Sequence, residues 1–259
     1  MARSRTRDLI RQALDLGITL FDTAPAYGRG EGEKRLGEAL RGVRRDSVYL
    51  ATKAGIDRDR HRDFSAGAIE MSLRGSLERL RTDHVDLLML HGPAPEEMTD
   101  RLMRRLEALR ERGMIGQIGI CGRGAELDAA VLLGGFDVMM APVHAGLPEE
   151  DLARLARAKD AGMRVIGIEA VSSAARPGLR IPRSRSDLWY LARAVKQALT
   201  GAKPERATRS PAEALKWALA RGEVDAVVCL TTRPANLTAN AQIAGLEAEA
   251  GHPQLPKRD

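Results

Sequence analysis

Aromatic residues and cysteines are scarce in this sequence. Phe, Trp and Tyr together make up 3% of the 259 residues, and there are two cysteines. So few aromatic side chains leave little surface on which the bases of a nucleic acid could stack. Cys121 and Cys229 both lie in apolar, strand-like segments, which indicates reduced core thiols rather than a disulfide. We therefore expect neither a nucleic-acid-binding protein nor a disulfide-stapled fold.

Long apolar runs and clustered metal ligands are absent as well. No apolar segment is long enough to cross a bilayer, and no apolar signal core follows the basic N-terminus MARSRTRDLI. The sequence therefore predicts a cytoplasmic protein that does not bind membranes. The five histidines are scattered, none at the spacing of a helical zinc site, and DRDRHRD at 57–63 has the character of a solvated loop. No bound metal is expected.

What the chain does contain is an excess of positive charge. The formal net charge is +6, and the basic residues are mostly arginines interleaved with Asp and Glu along the whole chain. This spread is typical of a solvated surface rather than of a nucleic-acid-binding patch. The excess would still attract a ligand that carries phosphate.

One structural unit recurs along the chain, namely an amphipathic helix that ends at a glycine and is followed by a short apolar strand. For example, DLARLARAKDAG precedes MRVIGIEAV, and SPAEALKWALARG precedes EVDAVVCLTT. Apolar residues at three- and four-residue steps predict the helices, and strands that are apolar over nearly their whole length are typical of a parallel sheet covered on both faces. Seven strands are predicted, at 18–23, 48–54, 85–91, 117–122, 136–142, 164–171 and 225–231.

The alternation continues without a break in composition, which predicts a single parallel α/β domain over residues 1–259. The irregular stretch, 172–209, is predicted to form a long loop with a helix around 187–199. Periodicity alone leaves open whether the sheet closes into a barrel or forms a doubly wound open sheet.

Polar side chains stand at the ends of three successive predicted strands. Asp22 ends the strand 18–23 and Tyr27 follows it, Lys53 lies in 48–54, and His91 ends 85–91. In a parallel barrel these carboxyl ends lie on the same face, so the four side chains should converge. Taken singly, each has a structural explanation: a turn cap, a surface aromatic, a lysine with its head in solvent and a loop histidine. Their joint placement favours a chemical role.

The four residue types together can form a proton-transfer device. A tyrosine hydroxyl has a pKa near ~10, and a lysine ammonium at about 4 Å would lower it by roughly 3 units. Asp22 would keep Lys53 charged, and His91 would orient or polarise a substrate carbonyl. Tyr27 would then act as a general acid toward a developing alkoxide.

The segments that carry these residues resemble the aldo/keto reductase superfamily. GITLFDTAPAYGRGEGEKRLGEAL is similar to the family signature with its Asp and Tyr, and ATKAG and SLERLRTDHVDLLMLHGP are similar to its lysine and histidine segments. GMIGQIGICGR and SPAEALKWALARGEVDAVVCLTTRPANLTAN resemble its later strands and its cofactor loop. The resemblance covers nearly the whole chain. It implies a TIM-type (β/α)₈ barrel that transfers hydride between NADP(H), or alternatively NAD(H), and a small carbonyl substrate such as an aldehyde, ketone or sugar.

The resemblance also implies cofactor contacts, some of which depart from the family pattern. The Ser-Asn pair that holds the nicotinamide carboxamide falls on Cys121 and Gly122, and an expected glutamine falls on Met140. A stacking tyrosine of many members aligns near Ala170, beside Glu169. The loop that contacts the adenosine phosphate and adenine keeps more polar groups, which are Thr232, Arg233, Asn236 and Asn240. Arg233 could pair with a 2′-phosphate or could simply be an exposed arginine at a helix start.

The family's first barrel strand would precede the helix that starts near Thr6, and MARSR cannot supply it. We therefore expect a barrel that lacks this strand, through a truncated start or an incomplete barrel, with 18–23 and 225–231 meeting across a gap or a strained closure. Two functions remain open: an NADP(H)-dependent carbonyl reductase or alcohol dehydrogenase, and a non-catalytic barrel that senses cofactor or binds a protein. His144 and Glu169 are further candidates for the substrate pocket, or they are positions at the edge of the core whose polar groups bond the backbone.

Overall fold

The computed structural model describes residues 3–171 and 210–246. The helix expected around 187–199, and the loop expected on either side of it, lie outside these residues. Within the described ranges, no helix combines the length and the apolar character needed to span a bilayer.

Helices and strands alternate along the described chain as the repeated sequence unit predicts. The strands are β1 (Leu20–Asp22), β2 (Tyr49–Ala54), β3 (Val85–His91), β4 (Ile115–Cys121), β5 (Val138–Pro142), β6 (Arg164–Ile168) and β7 (Ala226–Val227). The α-helices are α1 (Arg3–Asp15), α2 (Glu31–Ala39), α3 (Ala66–Leu80), α4 (Asp100–Glu111), α5 (Ala125–Leu133), α6 (Glu149–Asp160), α7 (Pro211–Leu219) and α8 (Pro234–Ile243). Short 3-10 helices cover Arg45–Ser47 and Pro95–Glu97.

The seven strands form one curled parallel sheet in which each strand pairs with the next one along the chain. Strands β1 and β7 are the two edges, and in the described chain no hydrogen bonds join them. The helices nevertheless meet across this seam, because the side chain of Gln12 in α1 donates a hydrogen bond to the Thr238 hydroxyl in α8 at 3.0 Å. The expectation that a first barrel strand is missing between β1 and β7 stays a prediction.

The strands are buried on both faces, as their continuous apolar sequences predict. Side chains such as Leu50 and Leu88 belong to the larger apolar cluster between the sheet and the helices. The alternate side chains, such as Leu87 and Met89, form a smaller cluster on the inner face. Because successive side chains of a strand point to opposite faces, Asp22, Lys53 and His91 fall on that inner face.

Two strands end well before the sequence predicts. The predicted strand 164–171 ends at Ile168, because Glu169 has a left-handed backbone (φ 61°) that an extended strand cannot continue. The predicted strand 225–231 is reduced to Ala226–Val227, which pairs on one side only. The other five strands match their predicted bounds to within two residues.

Helix α2 lies close against α3 and β2. A Cβ at Gly37 would stand 2.5 Å from the carbonyl oxygen of Leu80, so only glycine allows this approach of the two helices. The buried carboxylate of Glu33 accepts hydrogen bonds from the Thr52 hydroxyl at 2.7 Å and from Arg79 Nε at 2.6 Å. These contacts attach α2, and the loop that leads into it, to the strand that carries Lys53.

Candidate active site

Lys53 carries its charge into the interior of the sheet. Its side chain is 1% exposed, and Nζ donates hydrogen bonds to both carboxylate oxygens of Asp22 and to the carbonyl oxygen of Thr23, the last at 3.2 Å. Burial by itself disfavours the ammonium, but the carboxylate of Asp22 outweighs it and raises the pKa of Lys53 above its ordinary value. Lys53 is therefore charged at neutral pH.

Tyr27 lies in the loop that follows β1. Its N–H donates to the carbonyl oxygen of Ala24 at 3.0 Å, and its own carbonyl accepts from the N–H of Gly32 at 3.2 Å. A Cβ at Gly32 would stand 3.3 Å from that carbonyl, so glycine makes room for the turn. Lys53 Nζ lies 5.0 Å from the centroid of the Tyr27 ring, and Tyr27 is 43% exposed. The ring thus stands between a buried cation and solvent.

The pKa of Tyr27 is raised in the structure, so the expectation that it is lowered is wrong. Burial of the hydroxyl has the largest effect and raises the pKa; Lys53 lowers it as expected, while the charges of Asp22 and Cys121 raise it further. The expectation counted the attraction of Lys53 but not the loss of hydration, which is set by the tertiary structure. Tyr27 therefore holds its proton at neutral pH.

His91 ends β3 beside Tyr27. The centroids of the two rings are 6.1 Å apart and the ring planes are nearly perpendicular, at 88°. Burial lowers the pKa of His91 to about 4, and the positive charges of Lys53 and Arg123 add to this effect. The imidazole is therefore neutral near pH 7. Its Nδ1 is buried without a hydrogen-bond partner in the described chain, and such an atom can be satisfied by a ligand.

The loops after β1, β2 and β3 are joined to one another beside these residues. An ion pair between Arg29 and Asp59 links the first two loops. Arg62 Nη2 donates to the carbonyl oxygen of Gly92 at 3.0 Å, directly after His91. The segment 57–63, expected to be a solvated loop, is largely exposed and makes both of these contacts. In the described ranges, no three potential metal-ligating side chains come together.

The sequence pattern did not single out Arg123, which the structure places next to the site. Its guanidinium forms an ion pair with Glu169, and this contact joins the end of β4 to the end of β6. It lies near His91 because His91 pairs in register with Cys121, two residues before Arg123. The sequence did contain one signal for Arg123, namely a charged residue directly after the predicted strand 117–122. His144, the other pocket candidate, has its Nδ1 buried without a partner among the described residues.

The aldo/keto reductase family model matches residues 1–250. The chain belongs to the aldo/keto reductase family. It is 30% identical over 280 residues to D-threo-aldose 1-dehydrogenase of a Pseudomonas species, in an alignment that covers 94% of this chain and 84% of that protein.

Solved structures agree with this assignment. The holo form of an aldo-keto reductase from Bacillus halodurans is similar with a TM-score of 0.76 and 25% identity, over 97% of this chain and 84% of the other. An aldo-keto reductase from Klebsiella pneumoniae in complex with NADPH has the same fold, with a TM-score of 0.70 and 22% identity over 94% and 80% of the two chains. Together, these relationships support an oxidoreductase acting between carbonyl and alcohol.

In this aldo/keto reductase, the residues expected to border the nicotinamide lie beside the four polar residues. Cys121 pairs in register with His91 on one side and with Met140 on the other, and the N–H of Gly122 donates to the carbonyl oxygen of Met140 at 3.1 Å. Cys121 and Met140 are both buried, and burial raises the pKa of the Cys121 thiol. These positions therefore offer apolar side chains rather than amides or hydroxyls.

The remaining candidates for cofactor contact gather at the beginning of α8. Arg233 is the N-terminal cap residue of this helix, and its N–H donates to the Thr231 hydroxyl at 3.2 Å. Thr232, Arg233 and Asn236 are exposed, and Asn240 is half-buried one turn further on. A helix N-terminus next to a guanidinium is a favourable position for a phosphate group. The chemistry of this set fits the phosphate of a nucleotide.

Proposed function

We propose that this protein is an NAD(P)H-dependent oxidoreductase that interconverts a small carbonyl compound, such as an aldehyde, ketone or sugar, and the corresponding alcohol. The observation that carries the proposal is the convergence of Asp22, Tyr27, Lys53 and His91 at one end of the sheet. The Tyr27 ring lies 5.0 Å from Lys53 Nζ and 6.1 Å from the His91 ring. The nicotinamide cofactor, when bound, supplies or accepts the hydride.

Tyr27 is the proton donor in the direction of reduction. Its raised pKa keeps the hydroxyl protonated until an alkoxide develops on the substrate. The Lys53 ammonium then stabilises the phenolate that remains, and Asp22 holds that ammonium in place through two hydrogen bonds. In the opposite direction the phenolate accepts the alcohol proton.

His91 acts as a neutral hydrogen-bond donor. With a pKa of about 4, His91 is not protonated to the imidazolium form near pH 7, so it does not compete with Tyr27 as an acid. An imidazole N–H can instead polarise the substrate carbonyl and hold its oxygen in position for the Tyr27 proton. The absence of a partner for Nδ1 in the described chain is compatible with a group that bonds to substrate.

The proposed cofactor is NADP(H), with NAD(H) as the alternative. Arg233 would hold the 2′-phosphate, with Thr232, Asn236 and Asn240 around the adenosine, and Cys121, Gly122 and Met140 would border the nicotinamide. The exposed guanidinium at the start of α8 supports the choice of NADP(H). The relative from Klebsiella pneumoniae was solved with NADPH.

The second candidate function is a catalytically weak or inactive barrel that senses the cofactor or binds another protein. The observation in its favour is that Cys121 and Met140, both buried, carry only sulfur groups, which form weaker hydrogen bonds with a carboxamide than a hydroxyl or an amide does. For either function we propose a single (β/α)₈-type domain with an open seam between β1 and β7.

Tyr27→Phe tests the proposal, because it keeps the ring and removes the proton. We expect single-turnover oxidation of NADPH by an aldehyde or aldose to slow by about 10²–10⁴-fold. The dissociation constant for NADPH, measured by cofactor fluorescence, should stay unchanged.

Tyr49→Phe is the matched control, because the Tyr49 hydroxyl bonds the Gln117 side chain within the sheet and is outside the proposed chemistry. Equal rates in wild type and Tyr27→Phe would refute the acid–base role of Tyr27. Binding of NADPH without reduction of any carbonyl in a broad panel would favour the sensing function.

A further inference from the structure

A groove on the outer surface, between α1, α2 and the end of α3, is lined mainly by arginines. It encloses about 490 Å³. The charged residues that line it are Arg7, Arg11, Arg35, Arg41, Arg81 and Glu38. Five guanidinium groups thus face a single carboxylate, and none of the four residues of the candidate active site lines the groove.

Arg35 pairs with Glu31 at 3.7 Å, whereas Arg7, Arg11 and Arg41 form no ion pair within the described residues. Arg7 and Arg11 are four residues apart on α1, so they share a helix face where like charges repel each other. The carboxylate of Glu38 is 3.9 Å from Arg81 Nη2, at the limit of an ion pair. An anion bound in the groove would relieve this repulsion.

The backbone of Arg81 is an independent indication that its side chain has a role. Arg81 ends α3 in the left-handed conformation (φ 60°, ψ 45°), which glycine adopts without strain and other residues do not. After α1, α4 and α6 the left-handed position is occupied by Gly17, Gly113 and Gly162, as this rule predicts. A side chain kept in a strained conformation is a pointer to function, and this one lines the groove.

We propose that the groove binds a small oligophosphate anion, recognised through a chain of two or more phosphate groups. Guanidinium groups match phosphate oxygens in charge and in their paired hydrogen-bond geometry. The arginines come from three elements along the groove, which suits a chain of phosphates better than a single one. The phosphate chain could be free or part of a nucleotide, and the same guanidinium contacts serve both.

Calorimetric titration with inorganic tripolyphosphate tests the site directly, and titration with ATP shows whether a nucleoside adds to it. Arg7→Gln/Arg11→Gln should weaken tripolyphosphate binding by about tenfold or more, because two charge-assisted contacts are lost. Arg101→Gln/Arg104→Gln on α4 is the matched control, since both residues are exposed and the net charge changes equally. The control should change the affinity by less than about twofold, because salt screens distant charges.

Arg81→Gly separates binding from stability. Replacing the left-handed arginine by glycine should raise the melting temperature and at the same time weaken tripolyphosphate binding several-fold. If Arg81 were only a solvated surface residue, Arg81→Gly would raise the melting temperature and leave the affinity for tripolyphosphate unchanged. Three results would each overturn the proposal. The first is unchanged affinity for tripolyphosphate in Arg81→Gly, and the second is an equal loss of affinity in the α4 control. The third is a loss of affinity in Arg233→Ala, because it would place the anion at the start of α8.

Discussion

Burial acts in opposite directions on the acidic and basic residues of the site, because it always disfavours the charged form. It raises the pKa of Tyr27 and of Cys121, and it lowers the pKa of His91 to about 4. Lys53 is the exception, since the carboxylate of Asp22 outweighs the loss of hydration. Burial also raises the pKa of Asp22, an effect that Lys53 opposes. The site therefore contains the hydrogen-bonded Lys53–Asp22 pair, surrounded by groups that are neutral near pH 7.

The lowered pKa of His91 predicts how stability changes with pH. The folded value is about 4 and the ordinary value is 6.5, so between these pH values the unfolded chain takes up a proton that the folded protein does not. The folded state therefore loses stability as the pH falls from 6.5 toward 4. Over this pH window the free energy of unfolding of His91→Gln should fall less than that of the wild type, by up to roughly 3 kcal/mol. Urea unfolding at several pH values measures this difference.

The exposed His61 supplies the control for this experiment. His61→Gln makes the same exchange at a side chain that is 80% exposed, so any effect of replacing an imidazole by an amide as such is common to both variants. Parallel stability curves for wild type and His91→Gln would mean that His91 is not held neutral by the fold.

At the scale of elements, buried polar contacts position the helices around the site. The carboxylate of Glu33 is completely buried and joins α2 to both β2 and α3 through Thr52 and Arg79. Thr52 precedes Lys53 in β2, and α2 follows the Tyr27 loop directly. The relative position of Tyr27 and Lys53 is therefore coupled to the packing of α2.

Glu33→Gln tests how much this contact contributes. The substitution keeps the shape of the side chain but leaves Arg79, 15% exposed, without its opposite charge. We expect the free energy of unfolding to fall by about 3 kcal/mol or more, because the remaining charge of a buried ion pair stays desolvated without the attraction of its partner.

The surface pair of Arg44 and Asp46 is a control of the same kind. Arg44 is 82% exposed, and Arg44→Gln should leave the free energy of unfolding nearly unchanged in the same denaturant titration. Similar losses for Glu33→Gln and Arg44→Gln would show that the Glu33 contact is no stronger than a surface ion pair.

At the scale of the whole molecule, ligand binding and stability are linked. A cofactor that binds only the folded protein stabilises it by about 2.7 kcal/mol at a hundredfold excess over its dissociation constant. The last parallel strand and α8 adjoin the open seam, where Gln12 supplies a hydrogen bond between the helices at 3.0 Å. A cofactor held at the start of α8 would therefore stabilise the edge of the sheet.

The proposed role of Arg233 predicts which cofactor stabilises the folded protein more. NADPH should raise the melting temperature more than an equal concentration of NADH, because the guanidinium adds a contact to the 2′-phosphate worth roughly 1.5–3 kcal/mol. Arg233→Ala should make the two cofactors nearly equal, as measured by thermal unfolding and by their dissociation constants. An unchanged preference for NADPH in the variant would remove Arg233 from the proposed cofactor site.

Local patterns in the sequence account for most of the fold and for the placement of the polar residues. Helical periodicity and glycine C-caps predicted the alternating elements, and the family comparison confirmed the family that FDTAPAYG and its companion motifs resemble. The early end of β6 was not predictable, because the left-handed φ of Glu169 accompanies an ion pair with a residue 46 positions away. The roles of the cofactor-binding candidates stay predictions.

The sequence by itself determined the alternation of helices and strands and placed Asp22, Lys53 and His91 at or near strand ends, since hydrophobic periodicity is a property of neighbouring residues. The order of the strands, which the structure decides, brings these three side chains together on one face. Only the tertiary structure decided the direction of the Tyr27 pKa, the pairing of Arg123 with Glu169 and the gathering of arginines in the outer groove. These properties depend on hydration lost in the folded state and on distances between residues far apart in the chain, which no local pattern encodes.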